Sequence, residues 1–455
     1  MPLRIANASA FWGDSPSAPA RLVSQVPDLD YLTLDYLAEV SLSILAKQRD
    51  RDPARGYPAH FLDVLRSLVP HWQAGHRFKL VTNAGGLSPL VCARAAQPVL
   101  REAGLSHLRV AAVSGDDVLP LLRSAIRDPK SEIFQHLENG QTLATVADRL
   151  TTANAYLGAA PIAEALALGA HVVITGRTAD PSLAVGPATH HFGWRPDDHD
   201  RLAGATVAGH LIECGTQVTG GISTHWLDLP PGEIGYPVAE LDPDGSCVVT
   251  KSPITAGRVS QATVKEQLLY ELGDPARYLS PDATVNFLTL RLADDGPDRV
   301  RVAGATGGPP PDAYKVSATY RAGFRATGTL VIPGPRAAEK ARRAAEMILA
   351  RLASMSLAPE RQLTELLGAG VIAYPTMDYG QLTTDAPEVV LRVAVADPRR
   401  EACEAFAREF MSLVSAGPQG TTGYAEGRPV VKEQVGYWPT LVPRNEVRPV
   451  VEVLP

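Results

Sequence analysis

The chain has 455 residues, 45% of them hydrophobic, and a formal net charge of −6. It carries no basic block of the kind that binds nucleic acid or anionic lipid, no apolar run near the ~18 residues of a membrane span, and no basic-then-apolar start typical of a signal peptide. Cys92, Cys214, Cys247 and Cys403 are far apart and form no C-x-x-C pair, so a reduced, cytoplasmic protein without structural zinc or disulfides is expected.

In chain order, five short apolar runs come first: "LRIANAS" (Leu3 to Ser9), "YLTLDYL" (Tyr31 to Leu37), "FKLVTNA" (Phe78 to Ala84), "LRVAAVSG" (Leu108 to Gly115) and "HVVITG" (His171 to Gly176). Each reads as a strand buried on both faces. Segments such as "HFLDVLRSLVPHW" and "SPLVCARAAQPVLREAG" separate them, with apolar residues at helical spacing. Strand–helix alternation implies a parallel sheet covered on both faces, so residues 1–200 are expected to form a doubly wound α/β domain. From 201 to 315 a mixed β/α segment follows, with a hairpin turn at Asp242–Gly245. From 316 to 455 the pattern is β, α, β, β, α, β, an α+β module of ferredoxin-like order.

Open parallel sheets bind ligands beyond the carboxyl ends of their strands. Every one of the five runs hands over to small or polar residues there. Gly13 and Asp14 follow the first, Asp35 lies at the second, and Asn83 to Gly86 follow the third. Asp116 and Asp117 follow the fourth, and "GRTAD" (Gly176 to Asp180) the fifth. Capping of helix N-termini explains Ser88 and Asp117 equally well. It explains Arg177 less well, because a guanidinium at that edge suits a carboxylate or phosphate, or an ion pair with Asp180 or Asp116. Asp180-Pro181 reads as a helix start, with Asp180 as the cap. "NAGG" matches neither nucleotide-binding glycine motif, yet its amides at Gly85 and Gly86 suit an anion as well as a tight turn.

A second cluster lies in "GHLIECGTQVTGG" (Gly209 to Gly221). Read as helix, His210, Glu213, Cys214 and Gln217 share a face, and His210 with Glu213 suits acid–base chemistry. No metal site is expected, because no second His-rich motif exists. Cys214 is either a nucleophile or a small buried hydrophobe. "DDHDRL" (Asp197 to Leu202) reads as a solvated helix start, and Lys315 follows a stiff loop.

Taken in order, "FWGDS", "NAGGLSP", "GDDV", "ANAYLGAAPIAEALALGAHVVITGRTADPSLAVGPATHHFGW", "GHLIECGTQVTGG" and "KVSATYRAGFRATG" resemble the acyclic terpene utilisation (AtuA-type) proteins. The resemblance runs through residues 4 to 330 and thins from about 360. It implies bacterial breakdown of branched acyclic terpenoids, whose intermediates are carboxylic acids carried as coenzyme A thioesters. Thr178, His190–His191 and Ser88 depart from the common pattern, which suits a shifted substrate in a specialised biosynthetic pathway. The expected function is lyase- or hydratase-type acid–base chemistry on a small branched carboxylate or its coenzyme A thioester, with no cofactor. Arg177, Gly85 and Gly86 would hold the acyl group, and Asp116, Asp180, Glu213 and His210 would move protons. Asp14, Asn83, Asp117, Asn154 and Gln217 would line the site. The alternatives are a non-catalytic subunit that binds acyl intermediates and an acyl transferase that uses Cys214. A homo-oligomer is expected, without nucleic-acid or membrane partners.

Overall fold

The computed structural model describes residues 2–37, 39–126, 134–368, 386–422 and 427–455. The chain divides into two units, Met1–Thr319 with Tyr437–Pro455, and Tyr320–Gly436. The first unit begins with β1 (Leu3–Asn7), α1 (Ala18–Gln25), β2 (Tyr31–Leu34), α2 (Glu39–Arg51), α3 (Phe61–Gln73), β3 (Lys79–Thr82), α4 (Pro89–Glu102), β4 (Val110–Ser114) and α5 (Leu119–Ala125). It continues with β5 (Leu150–Ala155), α6 (Ala160–Ala167), β6 (Val172–Thr175), α7 (Ser182–Phe192) and α8 (His199–Glu213). The five apolar runs are therefore β1, β2, β3, β4 and β6.

These five strands are parallel neighbours in the order β1-β2-β3-β6-β4. β2 and β6 are buried at every position, which is why they read as unbroken apolar runs. Leu32, Leu34, Leu80, Val172 and Ile174 share one core with Leu22, Phe61, Leu65 and Cys92, contributed by α1, α3 and α4. Each fully buried Leu contributes about 2 kcal/mol. The alternate residues Ile5, Val81, Ala111 and Val173 are equally buried, and they face the layer in which α6, α7 and α8 pack together. The sheet is thus doubly wound. Because β6 inserts between β3 and β4, two neighbouring strands exit to opposite faces: β3 into α4, β6 into α7. That divergence is a topological switch point, the place at which open α/β sheets bind their ligands.

Part of the segment after α8 joins the same sheet. β7 (Pro237–Leu241) pairs antiparallel with β1, and β8 (Cys247–Lys251) closes the expected hairpin on β7. After α9 (Gln261–Leu269) come β9 (Tyr278–Leu279), β10 (Thr284–Asn286), β11 (Arg291–Asp294), β12 (Val300–Ala303) and β13 (Thr306–Gly308). β11 and β12 extend the large sheet, while β9, β10 and β13 form a small antiparallel one.

β14 (Ala313–Pro333), α10 (Ala337–Ser354), β15 (Arg361–Leu367), β16 (Glu388–Asp397), α11 (Arg400–Ala416) and β17 (Lys432–Pro443) follow. The boundary expected at 315 falls within β14, and the second unit starts at Tyr320. In that unit the strand order β15-β16-β14-β17, with antiparallel pairs, is the ferredoxin-like arrangement expected for this segment. Its core joins Leu330, Ile332, Leu391 and Val393 to Ile348, Phe406 and Phe410. The last strand, β18 (Val450–Val453), pairs antiparallel with β4 in the first unit.

Asn7 fastens this frame. Its amide nitrogen donates to the carbonyls of Ser9, Ile212 and Glu213 at 3.0, 2.9 and 2.9 Å, and its oxygen accepts from Thr33. It thereby serves carbonyls at the end of α8 that have no partner within the helix. Asn7→Ala leaves several buried acceptors unpaired and should cost about 2–4 kcal/mol in denaturant unfolding. A loss within experimental error would show that Asn7 does not fasten α8 to the sheet.

Candidate functional site

Polar side chains gather at this switch point from the ends of the strands. Asp35, at the end of β2, is 4% exposed. Its Oδ1 accepts from the Leu37 amide at 3.1 Å and from Asn83 Nδ2 at 2.7 Å. Asn83 also accepts from the Tyr36 amide at 2.7 Å, so it binds the end of β2 to the end of β3. Burial, and then the Asp180 carboxylate, push Asp35 well above the usual carboxylate range against the pull of Arg177 and Asn83.

Beyond β6, Asp116 Oδ2 accepts from Asn154 Nδ2 at 2.7 Å and from the Arg177 amide at 2.9 Å. This links the ends of β4, β5 and β6. Burial raises Asp116 to about 6, opposed by those hydrogen bonds. Gly176 is required here, because a Cβ would run into the Asp116 carboxylate.

Arg177 itself is 2% exposed. One guanidinium nitrogen donates to Asp180 Oδ1 at 2.6 Å and to the Thr178 carbonyl at 3.2 Å. Its Cζ lies 4.0 Å from the Tyr156 ring centroid, a cation–π contact. Burial alone would weaken its hold on the proton, but Asp180, Tyr156 and Asp35 outweigh that, and the group stays cationic. Nε has no partner.

At the end of α8, His210 Nδ1 meets Glu213 Oε1 at 3.0 Å, and Nε2 meets the Gln267 carbonyl at 2.9 Å. Burial pushes His210 down to about 4. Burial, then Asp180 and Glu271, push Glu213 well above its usual range, while Arg177 pulls it down. The pair lies within ion-pair distance, yet both shifts favour the neutral forms. Asp180 thus bonds the Arg177 guanidinium, and Asp35 and Glu213 both feel its charge. Burial therefore favours the protonated forms of Asp35 and Glu213 next to a fixed cation, whereas the Asp180 side chain that bonds the cation is 32% exposed.

The family model for the acyclic terpene utilisation family protein AtuA matches residues 3–453. The chain belongs to the AtuA family. The match includes the segment beyond 360, where the resemblance is thinner. Neither the curated proteins nor the solved structures yielded a match. Among the described residues of this AtuA-family chain, no helix is long and apolar enough to cross a membrane. No group of three or more His, Cys, Asp or Glu there is arranged to hold a metal ion.

Several expected site residues do other work in this family member. Asp14 accepts from the Ala10 and Ser15 amides and from the Tyr236 hydroxyl, closing a loop. Asp117 is exposed and accepts from the Leu119 amide, as a cap would. The Gly86 amide donates to the Asn83 carbonyl, so it is engaged in the turn rather than offered to an anion. Gly85 is there for space: a Cβ would strike the Thr175 carbonyl and Pro89. Ser88 precedes α4 without capping it and donates to the Arg55 carbonyl. Pro181, not Asp180, occupies the cap position of α7, because Arg177 takes the Asp180 carboxylate. α8 ends at Glu213, so Cys214 and Gln217 leave the face shared by His210 and Glu213. Burial and Glu213 raise the Cys214 thiol, which disfavours the thiolate a nucleophile needs. Lys315 lies 5.0 Å from the Tyr156 ring centroid.

Tyr156, Gln267, Tyr278 and Asp282 were not anticipated. Asp282 accepts from the Ala159 amide at 2.7 Å and from the Ser182 hydroxyl, pinning α6 to α7. Only Tyr156 had a local signal, being two residues beyond Asn154.

The raised Asp116 has a sign that can be checked. Between its ordinary 3.8 and about 6, the folded chain holds this proton and the unfolded chain releases it. Asp116 therefore costs stability as pH rises through that window, about 3 kcal/mol for a shift of about two units. Asp116→Asn removes the cost, so the unfolding free energy of the variant minus that of the wild type should climb by that amount from pH 4 to 6.5. A flat difference would mean that Asp116 ionises normally.

Proposed function

We propose that this AtuA-family chain is an enzyme acting on a small branched carboxylate or its coenzyme A thioester. The reaction is acid–base chemistry of the lyase or hydratase type, within terpenoid-type catabolism or a related specialised biosynthetic pathway. Family membership supports the terpene context. The observation that carries the reaction type is a set of buried polar atoms without partners. Arg177 Nε, Asn154 Oδ1 and Glu213 Oε2 are buried without a hydrogen-bond partner among the described residues, and Arg177 is linked to Asn154 through Asp116 and to Glu213 through its charge. Buried polar atoms are nearly always bonded. One donor on a fixed cation together with two acceptors suits a ligand that offers a carbonyl or carboxylate oxygen and a removable proton.

In this reading the acyl oxygen accepts from Arg177 Nε. Negative charge grows on that oxygen as a proton leaves the neighbouring carbon, and the buried guanidinium stabilises it without reorganising. Glu213 with His210 moves the proton. Asp35, held protonated by its surroundings, supplies the acid for a departing hydroxyl. Asp116 and Asn154 position Arg177 through its main-chain amide. The raised Cys214 thiol weighs against covalent acyl transfer.

The test is turnover of a panel of short branched acyl-coenzyme A thioesters, saturated, unsaturated and 3-hydroxylated. Arg177→Met should lower kcat/KM by about 10³-fold, the scale of losing a charge-stabilising donor. Arg177→Lys keeps the charge but not the fork and should rescue only part of the loss. Wild-type turnover in both variants would overturn the site. Tight binding without turnover across the panel would replace the enzyme by an acyl-binding subunit.

A further inference from the structure

The contacts of His210 determine where its hydrogens lie. The atom facing Nε2 is the main-chain carbonyl oxygen of Gln267. A carbonyl has no hydrogen to give, so Nε2 carries one. The Gln267 side chain completes the clasp, its Nε2 donating to the His210 carbonyl at 2.8 Å. A single proton then lies between Nδ1 and Glu213 Oε1. Either a carboxylic acid faces a bare imidazole nitrogen, or a carboxylate faces an imidazolium. The ring is 1% exposed, with Tyr278 and Phe287 at centroid distances of 5.9 and 5.7 Å. Separating charge there is costly, and the directions of both pKa shifts agree with the neutral pair. Glu213 therefore keeps its proton on Oε1, while Oε2 is buried without a hydrogen-bond partner among the described residues.

We infer that Glu213 and His210 form a proton relay in which the imidazole, not the carboxyl, is the final base. The inference rests on the ligand reading above. The ligand C–H bond breaks, and its electron pair stays on the ligand as an enolate against Arg177. The proton goes to Oε2. The Oε1–H bond breaks in the same event, and an Nδ1–H bond forms. The carboxyl stays neutral throughout, and the positive charge ends on the imidazolium. The groups that act on that charge are Asp180 and Glu271, which favour it, and Glu213, Tyr278 and the Gln267 carbonyl around the ring. Gln267 is a positioning residue: its carbonyl selects the tautomer that leaves Nδ1 able to receive the proton.

Nitrogen NMR of the full chain labelled with ¹⁵N-histidine tests the proton placement without any ligand. His210 is assigned from the signal lost in His210→Asn, or from the signal shifted in Glu213→Gln if the first variant does not fold. The relay requires a neutral ring protonated on Nε2 from pH 8 down to 5. An imidazolium at pH 7, or an Nδ1–H tautomer, overturns it. On the thioester panel, His210→Asn and Glu213→Gln should each lower kcat by about 10²–10⁴-fold. The double variant should be no worse than either, because the two act as a unit. If His210→Asn keeps its turnover while Glu213→Gln loses it, the relay fails and the Arg177 site stands. If no thioester binds, the ligand reading fails, and the NMR spectrum still shows where the proton sits.

Discussion

One buried guanidinium sets the terms for the whole strand edge. Arg177 is almost wholly removed from water, and an unpaired cation in that position would cost several kcal/mol. Asp180 neutralises it directly at 2.6 Å. Two further carboxyls, Asp35 and Glu213, feel both charges. Burial first, and the neighbouring Asp180 charge second, hold Asp35 and Glu213 toward their protonated forms. His210 and Asn83 refine this by holding one carboxyl oxygen of each acid.

The sheet makes this crowding possible. β6 lies between β3 and β4, so the residue after β6 projects where the chain diverges to opposite faces. Small residues permit the close approach: Gly176 makes room for Asp116, and Gly85 for the Thr175 carbonyl. Asn7 then draws the end of α8 onto β1, which brings His210 and Glu213 to the same edge. The fold thus gathers groups from five strands and one helix around a cation that none of those segments would bury alone.

Much of this was legible in the sequence, for physical reasons. Strands buried on both faces leave short apolar runs, and β1, β2, β3, β4 and β6 all showed them. The Asp242–Gly245 turn and the βαββαβ order from β14 to β17 were equally clear, because glycine and proline mark the turns and helical spacing marks α10 and α11. Arg177 stood out because capping does not explain an arginine at a strand end. Other features depend on pairing across long distances. β5 is Thr-rich, and Thr151 and Thr152 satisfy their hydroxyls on Thr319, far along the chain. The return of β18 to β4, the insertion of β6, and the Gln267 clasp on His210 have no local signature. The Gly85 and Gly86 amides suit an anion as well as a tight turn; in the structure Gly85 leaves room for its neighbours and the Gly86 amide is engaged in its own turn. A glycine pair looks the same in either role until its neighbours are known.

The central claim is that the unpartnered nitrogen of Arg177 receives an acyl oxygen. A crystal structure with a short branched carboxylate bound tests it most directly. The account predicts a carboxylate oxygen at about 2.7–2.9 Å from Arg177 Nε, with the adjacent carbon turned toward Glu213 Oε2. A carboxylate bound elsewhere, with Nε still without a partner, would contradict it.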